Sequence, residues 1–440
     1  MTKVVVVGGG VAGVSAALAA SSRGSKTTLM ESSKKVGVSR SLMPFLISDG
    51  WVEHDLILPQ AESLSDAGVD VRAGEAVGSI RREDGKIRLK SSSGRGTGLV
   101  FDSAVVCTGA ISQAPQLRGL SKPNVFVLNE PADYLRLSAE LDSLSAVVVS
   151  GPIPLALKLG EVLATKGKRV QVYCGKEGLE RQFSSPVAAA IRRGVSSGEN
   201  AERVLLVDGS VDSILGVERA EAVVSSGSVR TCDAVVVIPS SVPSVPVVDC
   251  QKGRDGGLLV DFSMSTSLPG VFAAGDSAEI KFKSGSVPAR LYSTSRMGGD
   301  VAGTNAAGGR AAAAPSWAVE QTYFGLEFCS AGLSEEEVEA MGLEAATEAC
   351  TSSDDRFRGD DGKRETLVSM VYDEGTHQVY GLQIAGWRAS SLSSAASLIV
   401  SLGLTVEQLL HVESPYSPVF SYDDSPIALT AGKIRRLEGA

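Results

Sequence analysis

The sequence predicts an α/β chain with two doubly wound, parallel-sheet units and a C-terminal α+β segment. Three observations carry that expectation. A four-valine run at 4–7 leads into a glycine turn at 8–13, an alanine-rich helix ending near Gly24 and an apolar strand at 27–30, which is a βαβ order. The same order returns with a strand at 146–149, a helical stretch to Gly167 and a strand at 169–173. Beyond an alanine-rich connector at 308–315 the texture changes. Two capping boxes, Ser334 with Glu337 and Thr405 with Gln408, open helices there, and runs at 365–373 and 378–385 flank a hairpin turn at 374–377. The charged stretch 353–364 reads as a solvated loop.

At 440 residues the chain exceeds one ordinary core, so two or three domains are expected. A formal net charge of −9 offers no electrostatic footprint for nucleic acid or an anionic membrane surface. No apolar run reaches the roughly 18 residues of a spanning helix, and Met1-Thr2-Lys3 runs directly into the first strand, so a cytoplasmic location is the default expectation. Six cysteines, at 107, 174, 232, 250, 329 and 350, form no C-x-x-C pair. That spacing argues against zinc, iron–sulfur or dithiol centres and for buried small hydrophobes. His54, His377 and His411 are too far apart in sequence to suggest a metal set. His377 falls in a turn and is expected to be solvated; His411 follows a helix, where positive charge is favourable.

The first glycine turn carries the chemistry. In Gly8-x-Gly10-x-x-Gly13 the first glycine permits the tight turn, the second lets the backbone reach a pyrophosphate, and the third allows close helix–strand packing. Val11, Ala12 and Gly13 open the helix, whose free N–H groups and partial positive charge suit phosphates. Glu31, 23 residues after Gly8, can accept hydrogen bonds from ribose hydroxyls. Strand, turn, helix and acid together define a Rossmann-like dinucleotide site.

Further segments give the sequence a family resemblance. Val105-Val106-Cys107-Thr108-Gly109-Ala110 looks like the "ATG" strand end of the FAD-dependent pyridine nucleotide-disulfide oxidoreductases, and the run 266–276, ending Ala274-Gly275-Asp276, is similar to their second FAD motif. Residues 288–309 resemble the helix that passes the flavin in NADH oxidases and coenzyme A-disulfide reductases, and the tail resembles their dimerisation domain. The resemblance implies that Asp276 binds the ribityl chain, that Gly275 allows close backbone approach, and that Val77, Thr108 and Gly109 join the FAD site. It also implies an FAD domain at 1–112 and 240–315, an NAD(P)-type domain at 113–239 and a dimerisation domain at 316–440, assembled as a C2 homodimer.

Three departures from the family pattern follow. Ser41, in Ser39-Arg40-Ser41-Leu42-Met43-Pro44, stands where disulfide-reducing members carry a cysteine, and a serine hydroxyl cannot form a redox couple. Ser-Arg-x-x-x-Pro is closer to the cysteine-free members resembling rubredoxin reductases. Arg40 and Ser41 are either flavin contacts with a catalytic role or an ordinary polar loop before a helix. In the second unit the turn reads Gly151-Pro152-Ile153-Pro154-Leu155-Ala156, so Ile153 replaces the glycine that approaches the pyrophosphate, its side chain is expected at the phosphate position, and Pro152 and Pro154 remove amide donors. Lys158 replaces a customary glutamate near the nicotinamide and Cys174 the acid on the adenine ribose, which puts ordinary binding of NADH or NADPH in question. A shifted pose with Lys158 or Lys176 on a phosphate is the remaining route. The third departure is the loop 239–243, which replaces a Gly-Arg-x-Pro. Tyr416 and Phe420 either reach toward a partner's flavin or pack the C-terminal core.

The expected activity is an FAD-dependent transfer of electrons from a reduced donor to rubredoxin or ferredoxin, a quinone or O2, with no redox-active cysteine. Two alternatives stay open. One is a coenzyme A-disulfide or polysulfide reductase. The other is a non-catalytic FAD-binding protein that has lost its nicotinamide site.

Overall fold

The computed structural model describes residues 1–48, 50–92, 99–113, 115–354, 364–415 and 424–438. The chain divides into two compact units: Met1–Gln113 with Ser240–Pro315, and Ala114–Pro239 with Ser316–Ala440.

The first unit is built on a five-stranded parallel sheet. Lys3–Val7 lies at its centre, flanked by Lys26–Glu31 and Asp70–Ala73 on one side and by Ser103–Val106 and Val271–Ala273 on the other. Strands buried on both faces need continuous apolar runs. Accordingly Val4, Val5, Val6, Val105 and Val106 are fully buried. The order reverses direction beside Lys3–Val7, so a crevice opens at the carboxyl end of that strand, where the glycine turn follows. The helices Val11–Ser22 and Tyr292–Ala306 cross at backbone distance, because a Cβ on Gly299 would lie 2.2 Å from the Ala12 carbonyl oxygen and one on Gly303 2.1 Å from that of Ala16.

Residues 239–243, expected as a loop, contribute a strand. Ser240–Pro243 pairs antiparallel with Ala110–Gln113. The two serines and terminal proline read as loop composition, but a short edge ribbon tolerates them, since Pro243 needs no ladder donor at the strand end.

The second unit holds two five-stranded sheets that the sequence suggested as separate domains, and a smaller antiparallel sheet of Ser213–Leu215, Ala222–Ser225 and Ser228–Thr231. The first is parallel, in the order Val204–Val207, Arg169–Tyr173, Ala146–Ser150, Ala234–Val237, Val125–Val127, which repeats the doubly wound pattern. The second is antiparallel, in the order Val319–Tyr323, Leu326–Gly332, Val379–Gly386, Arg364–Asp373, Ala345–Asp354. Its core packs Val368, Met370, Leu382 and Ile384 against Ala396, Ile399 and Ile434. Both capping boxes form: Ser334 accepts from the Glu337 N–H and Thr405 from the Gln408 N–H. The ends of the expected loop 353–364 are strand instead, with Ser353 facing Glu365 and Asp354 facing Arg364 across the ladder; 355–363 lie outside the described residues.

The hairpin turn at 374–377 is tied by Asp373, whose Oδ1 accepts from the Gly375 N–H (3.1 Å), the Thr376 N–H (2.6 Å) and the Thr376 hydroxyl (2.8 Å), while Oδ2 accepts from the Tyr380 hydroxyl. Burial pushes the Asp373 carboxyl up, but the Tyr380 and Thr376 hydrogen bonds outweigh it and hold the group at about 2. A carboxyl depressed in the folded state stabilises above its unfolded pKa of about 3.9, and that contribution is lost as pH falls through the folded value. Solvent screens this carboxylate, so Asp373→Asn is expected to cost about 1 kcal/mol near neutral pH and almost nothing near the folded pKa. Urea melts at the two pH values check this; an equal cost at both would contradict it. His377, expected to be solvated, is instead engaged, with Nδ1 2.5 Å from Glu407 Oε1 and its ring edge-on to Tyr372.

Candidate cofactor site

The three glycines of the first turn have separate jobs. Gly8 sits at φ +104°, and a Cβ there would lie 2.2 Å from the Cys107 carbonyl oxygen. A Cβ on Gly13 would lie 1.8 Å from the Gly8 carbonyl oxygen. Both are required by the fold. A Cβ on Gly10 would meet no protein atom within 4 Å, so this glycine keeps open space rather than protein packing. Gly10 caps the Val11–Ser22 helix without a side-chain hydrogen bond, and no acid occupies the first turn. The N–H groups of Val11, Ala12 and Gly13 thus face that space with an unquenched partial positive charge.

Glu31 holds the turn from the neighbouring strand. Its Oε2 accepts from the Gly9 N–H at 2.7 Å, and Oε1 accepts from the Ser33 N–H at 2.7 Å and the Ser32 hydroxyl at 3.0 Å. A carboxylate offers about four lone-pair positions, so acceptor capacity remains for a ribose hydroxyl. Glu75 N–H bonds to the Glu31 carbonyl, which brings the strand beginning at half-buried Val77 alongside. Sequence reasoning missed the neighbouring cavity of about 440 Å³ lined by Lys35, Val36, Glu53, His54 and Ile57. Lys35 and Glu53 pair within it at 2.5 Å, and Val36 lies against Gly9.

The other predicted residues of this unit converge on the same crevice. Thr108 donates its hydroxyl to the Ser244 carbonyl, and the Ser244 N–H donates to Gly109 at 2.9 Å. Gly275, at φ +71°, lies so near the first helix that a Cβ would meet that of Ala12 at 2.9 Å. Asp276 follows; burial raises its carboxyl, with the Arg290 and Arg40 cations pulling the other way. Arg40 also donates from Nη1 to the Ala110 carbonyl at 2.8 Å, and Ser41 Oγ shares a 2.9 Å hydrogen bond with buried Ser39. Arg40, missing from any glycine pattern, is thereby linked to both the Thr108-Gly109 strand end and Asp276.

Five of the cysteines are held as thiols by burial. Burial pushes Cys107 up to about 12, and likewise Cys174 and Cys329 to about 12 and Cys232 to about 11. Cys250 is raised by the same cause. At neutral pH these are thiols, and thiols are poor nucleophiles.

In the second unit Gly151 persists for a packing reason: a Cβ there would lie 2.6 Å from both Cβ and the carbonyl oxygen of Ile238. Ile153, expected at the phosphate position, is 8% exposed, so its side chain is packed into the protein. What the turn lacks is donors, since Pro152 and Pro154 bring no N–H to the start of the Ile153–Thr165 helix. Lys158 is occupied, 2.9 Å from Glu161 Oε2 and 3.2 Å from Thr322 Oγ1. Cys174 is buried at the end of its strand. Tyr416 and Phe420 lie outside the described residues. Among the described residues no cluster of three metal-ligating side chains occurs, and no helix is long and apolar enough to cross a membrane.

Fold and site together define a doubly wound, dinucleotide-binding oxidoreductase. The chain belongs to the pyridine nucleotide-disulphide oxidoreductases: that family's model matches residues 2–299, and the model of its dimerisation domain matches 319–423. The cofactors of this family are FAD and NADH or NADPH. Among curated relatives, a protein named NAD(P)H sulfur oxidoreductase (CoA-dependent) from Pyrococcus furiosus is 26% identical over 444 residues, 98% of each chain. An NADH oxidase from Methanocaldococcus jannaschii is 24% identical over 443 residues, again 98% of each. Among solved structures, a NAD-dependent persulfide reductase from A. fulgidus superposes with a TM-score of 0.85 at 22% identity, covering 99% of this chain and 84% of that one. The water-forming NADH oxidase from Lactobacillus brevis, bound to NADH, gives 0.85 at 17% identity over 100% and 99%. These superpositions show the fold.

Proposed function

We propose that this chain is an FAD-dependent oxidoreductase whose electrons reach the acceptor without passing through a protein thiol. The observation that carries this reading is Ser41, a hydroxyl bonded to Ser39 at the position where the thiol relay would stand. The raised cysteines support it, because none of them offers a replacement thiolate.

Bound FAD would supply the redox chemistry, taking up a hydride and releasing electrons singly or in pairs. The chain's own residues position it. The space over Gly10 and the N–H groups of Val11, Ala12 and Gly13 receive the pyrophosphate, Glu31 accepts from the adenosine ribose, and Val77 borders that end. Thr108 and Gly109 shape the crevice, Gly275 lets the backbone approach, and Asp276 accepts from the ribityl chain. Arg40 holds positive charge beside Asp276, and Ser41 keeps a polar hydroxyl where a cysteine is lost. Gly151 and Lys158 belong to the second dinucleotide unit. The match to a dimerisation domain supports a homodimer. Acceptors suited to a thiol-free flavin are rubredoxin or ferredoxin, a quinone, or dioxygen. A disulfide or polysulfide acceptor is the second reading, favoured by the names of the Pyrococcus relatives.

Anaerobic titration with NADPH and NADH, before and after alkylation with iodoacetamide, tests the reading. The flavin band is expected to bleach at the same rate in both samples, and reoxidation by dioxygen or a quinone to be unchanged. Loss of reoxidation on alkylation would assign the chemistry to a cysteine. Failure of both nucleotides to bleach the flavin would leave a non-catalytic FAD protein.

A further inference from the structure

Asp276, the acceptor proposed for the ribityl chain, lies within the fields of two cations, Arg290 and Arg40, and yet forms no ion pair among the described residues. Each cation is tied to another acceptor. Arg40 donates to the Ala110 carbonyl at 2.8 Å, and Arg290 Nη2 lies 3.1 Å from Asp255 Oδ2. The nearness of Arg290 is built into the backbone, because the Ala289 N–H bonds to the Ala278 carbonyl at 3.2 Å, at the start of the strand Ala278–Phe282 that follows Asp276. Asp255 is exposed and sits in a turn, so its place depends on what holds that turn. Glu279, on the same strand and only 1% exposed, is the holder. Its Oε1 accepts from the Asp255 N–H at 3.0 Å and the Gly257 N–H at 2.9 Å, and its Oε2 from the Ser286 hydroxyl at 2.8 Å. The turn wraps it closely, since a Cβ on Gly253 would lie 2.1 Å from Oε2. A carboxylate is costly to bury unless its lone pairs are filled, and these donors fill them.

We propose that Asp255 is a positioning residue for the flavin site: it holds Arg290 off Asp276, so that the Asp276 carboxylate stays open to the ribityl hydroxyls, and Glu279 fixes Asp255 in turn. This rests on the reading of the chain as a flavoprotein. A guanidinium released from Asp255 finds Asp276 as a planar two-oxygen partner, and a bidentate pair would occupy the oxygens that the ribityl chain needs. While anchored, Arg290 supplies positive charge that favours the ionised, accepting carboxylate without covering it.

FAD titration of the stripped protein at pH 8, followed by flavin fluorescence, tests this without relying on turnover. Asp255→Ala is expected to weaken FAD binding at least about tenfold, the size of one hydrogen bond to a charged group. Arg290→Gln alone stays within about threefold of wild type, the scale of a surface change, and added to Asp255→Ala it returns the affinity to that range. A turn with a merely structural role would not be repaired by deleting a second side chain. Glu279→Ala is expected to copy Asp255→Ala and to be repaired by the same second change. Glu279→Gln binds FAD normally, because one amide oxygen still takes both N–H groups and the Ser286 hydroxyl can turn to accept from the amide nitrogen. Wild-type affinity in Asp255→Ala, or an Asp255→Ala defect that persists with Arg290→Gln, overturns the proposal. A wild-type chain that binds no FAD overturns the flavoprotein reading itself, and the same titration shows it separately.

Discussion

Gly10→Val is expected to give a folded, colourless protein. Its Cβ would meet no protein atom within 4 Å, so the new side chain starts into open space and displaces no protein packing at that atom. The branched side chain instead fills the space over the helix N-terminus that a pyrophosphate must occupy. Flavin content should fall by at least an order of magnitude, while the FAD-free melting temperature stays within a few degrees of wild type, as for most surface changes. The neighbouring Gly13→Val gives the contrasting outcome. Its side chain would run into the Gly8 carbonyl oxygen at 1.8 Å, so the βαβ turn itself cannot close. A yellow Gly10→Val protein with normal FAD content would remove the turn from the site.

The second large effect is expected from Gly299→Ala combined with Gly303→Ala. Alanine is favoured over glycine in a helix interior by about 1 kcal/mol per residue. Here that gain is overwhelmed, because each methyl would stand about 2 Å from a backbone carbonyl of the Val11–Ser22 helix, and backbone cannot rotate away. Overpacking costs about 1–3 kcal/mol per site, and moving two helices apart also disturbs Gly275 against Ala12. With the propensity gain subtracted, a net loss of up to about 4 kcal/mol remains, a large share of a stability of about 5–15 kcal/mol. Thermal melts of the apo protein should show it, together with poor soluble yield. Gly194→Ala is the matched control: its Cβ meets Leu326 Cβ at 3.6 Å, an ordinary contact, so it should be neutral or slightly stabilising. Equal melting temperatures for the double variant and the control would contradict the close-crossing argument.

The sequence made local features readable wherever the physics is local. Valine runs bounded by glycines gave both βαβ units, and the pairs Ser334 with Glu337 and Thr405 with Gln408 gave two helix starts, because a cap is satisfied within one turn. The roles of Gly299 and Gly303 were hidden, since their partners are the carbonyls of Ala12 and Ala16, far away in the chain. Gly151 read as the remnant of a phosphate turn, whereas its contact with Ile238 accounts for it without any ligand. Ile153 read as a blocking side chain, yet it turns inward, so of the two readings made at this turn only the missing donors of Pro152 and Pro154 still weaken it. Arg40 could be noticed beside Ser41, but its bond to Ala110 and its field at Asp276 arise only when the polar segment after Ser39 meets two distant strand ends.

The measurement that bears most directly on the central claim is the flavin content of the purified wild-type chain, followed by FAD titration of the stripped protein. A stoichiometric amount of FAD, released intact on denaturation and taken up again by wild type but not by Gly10→Val, is the predicted result. A wild-type chain that carries no flavin and binds none when saturating FAD is supplied would contradict it.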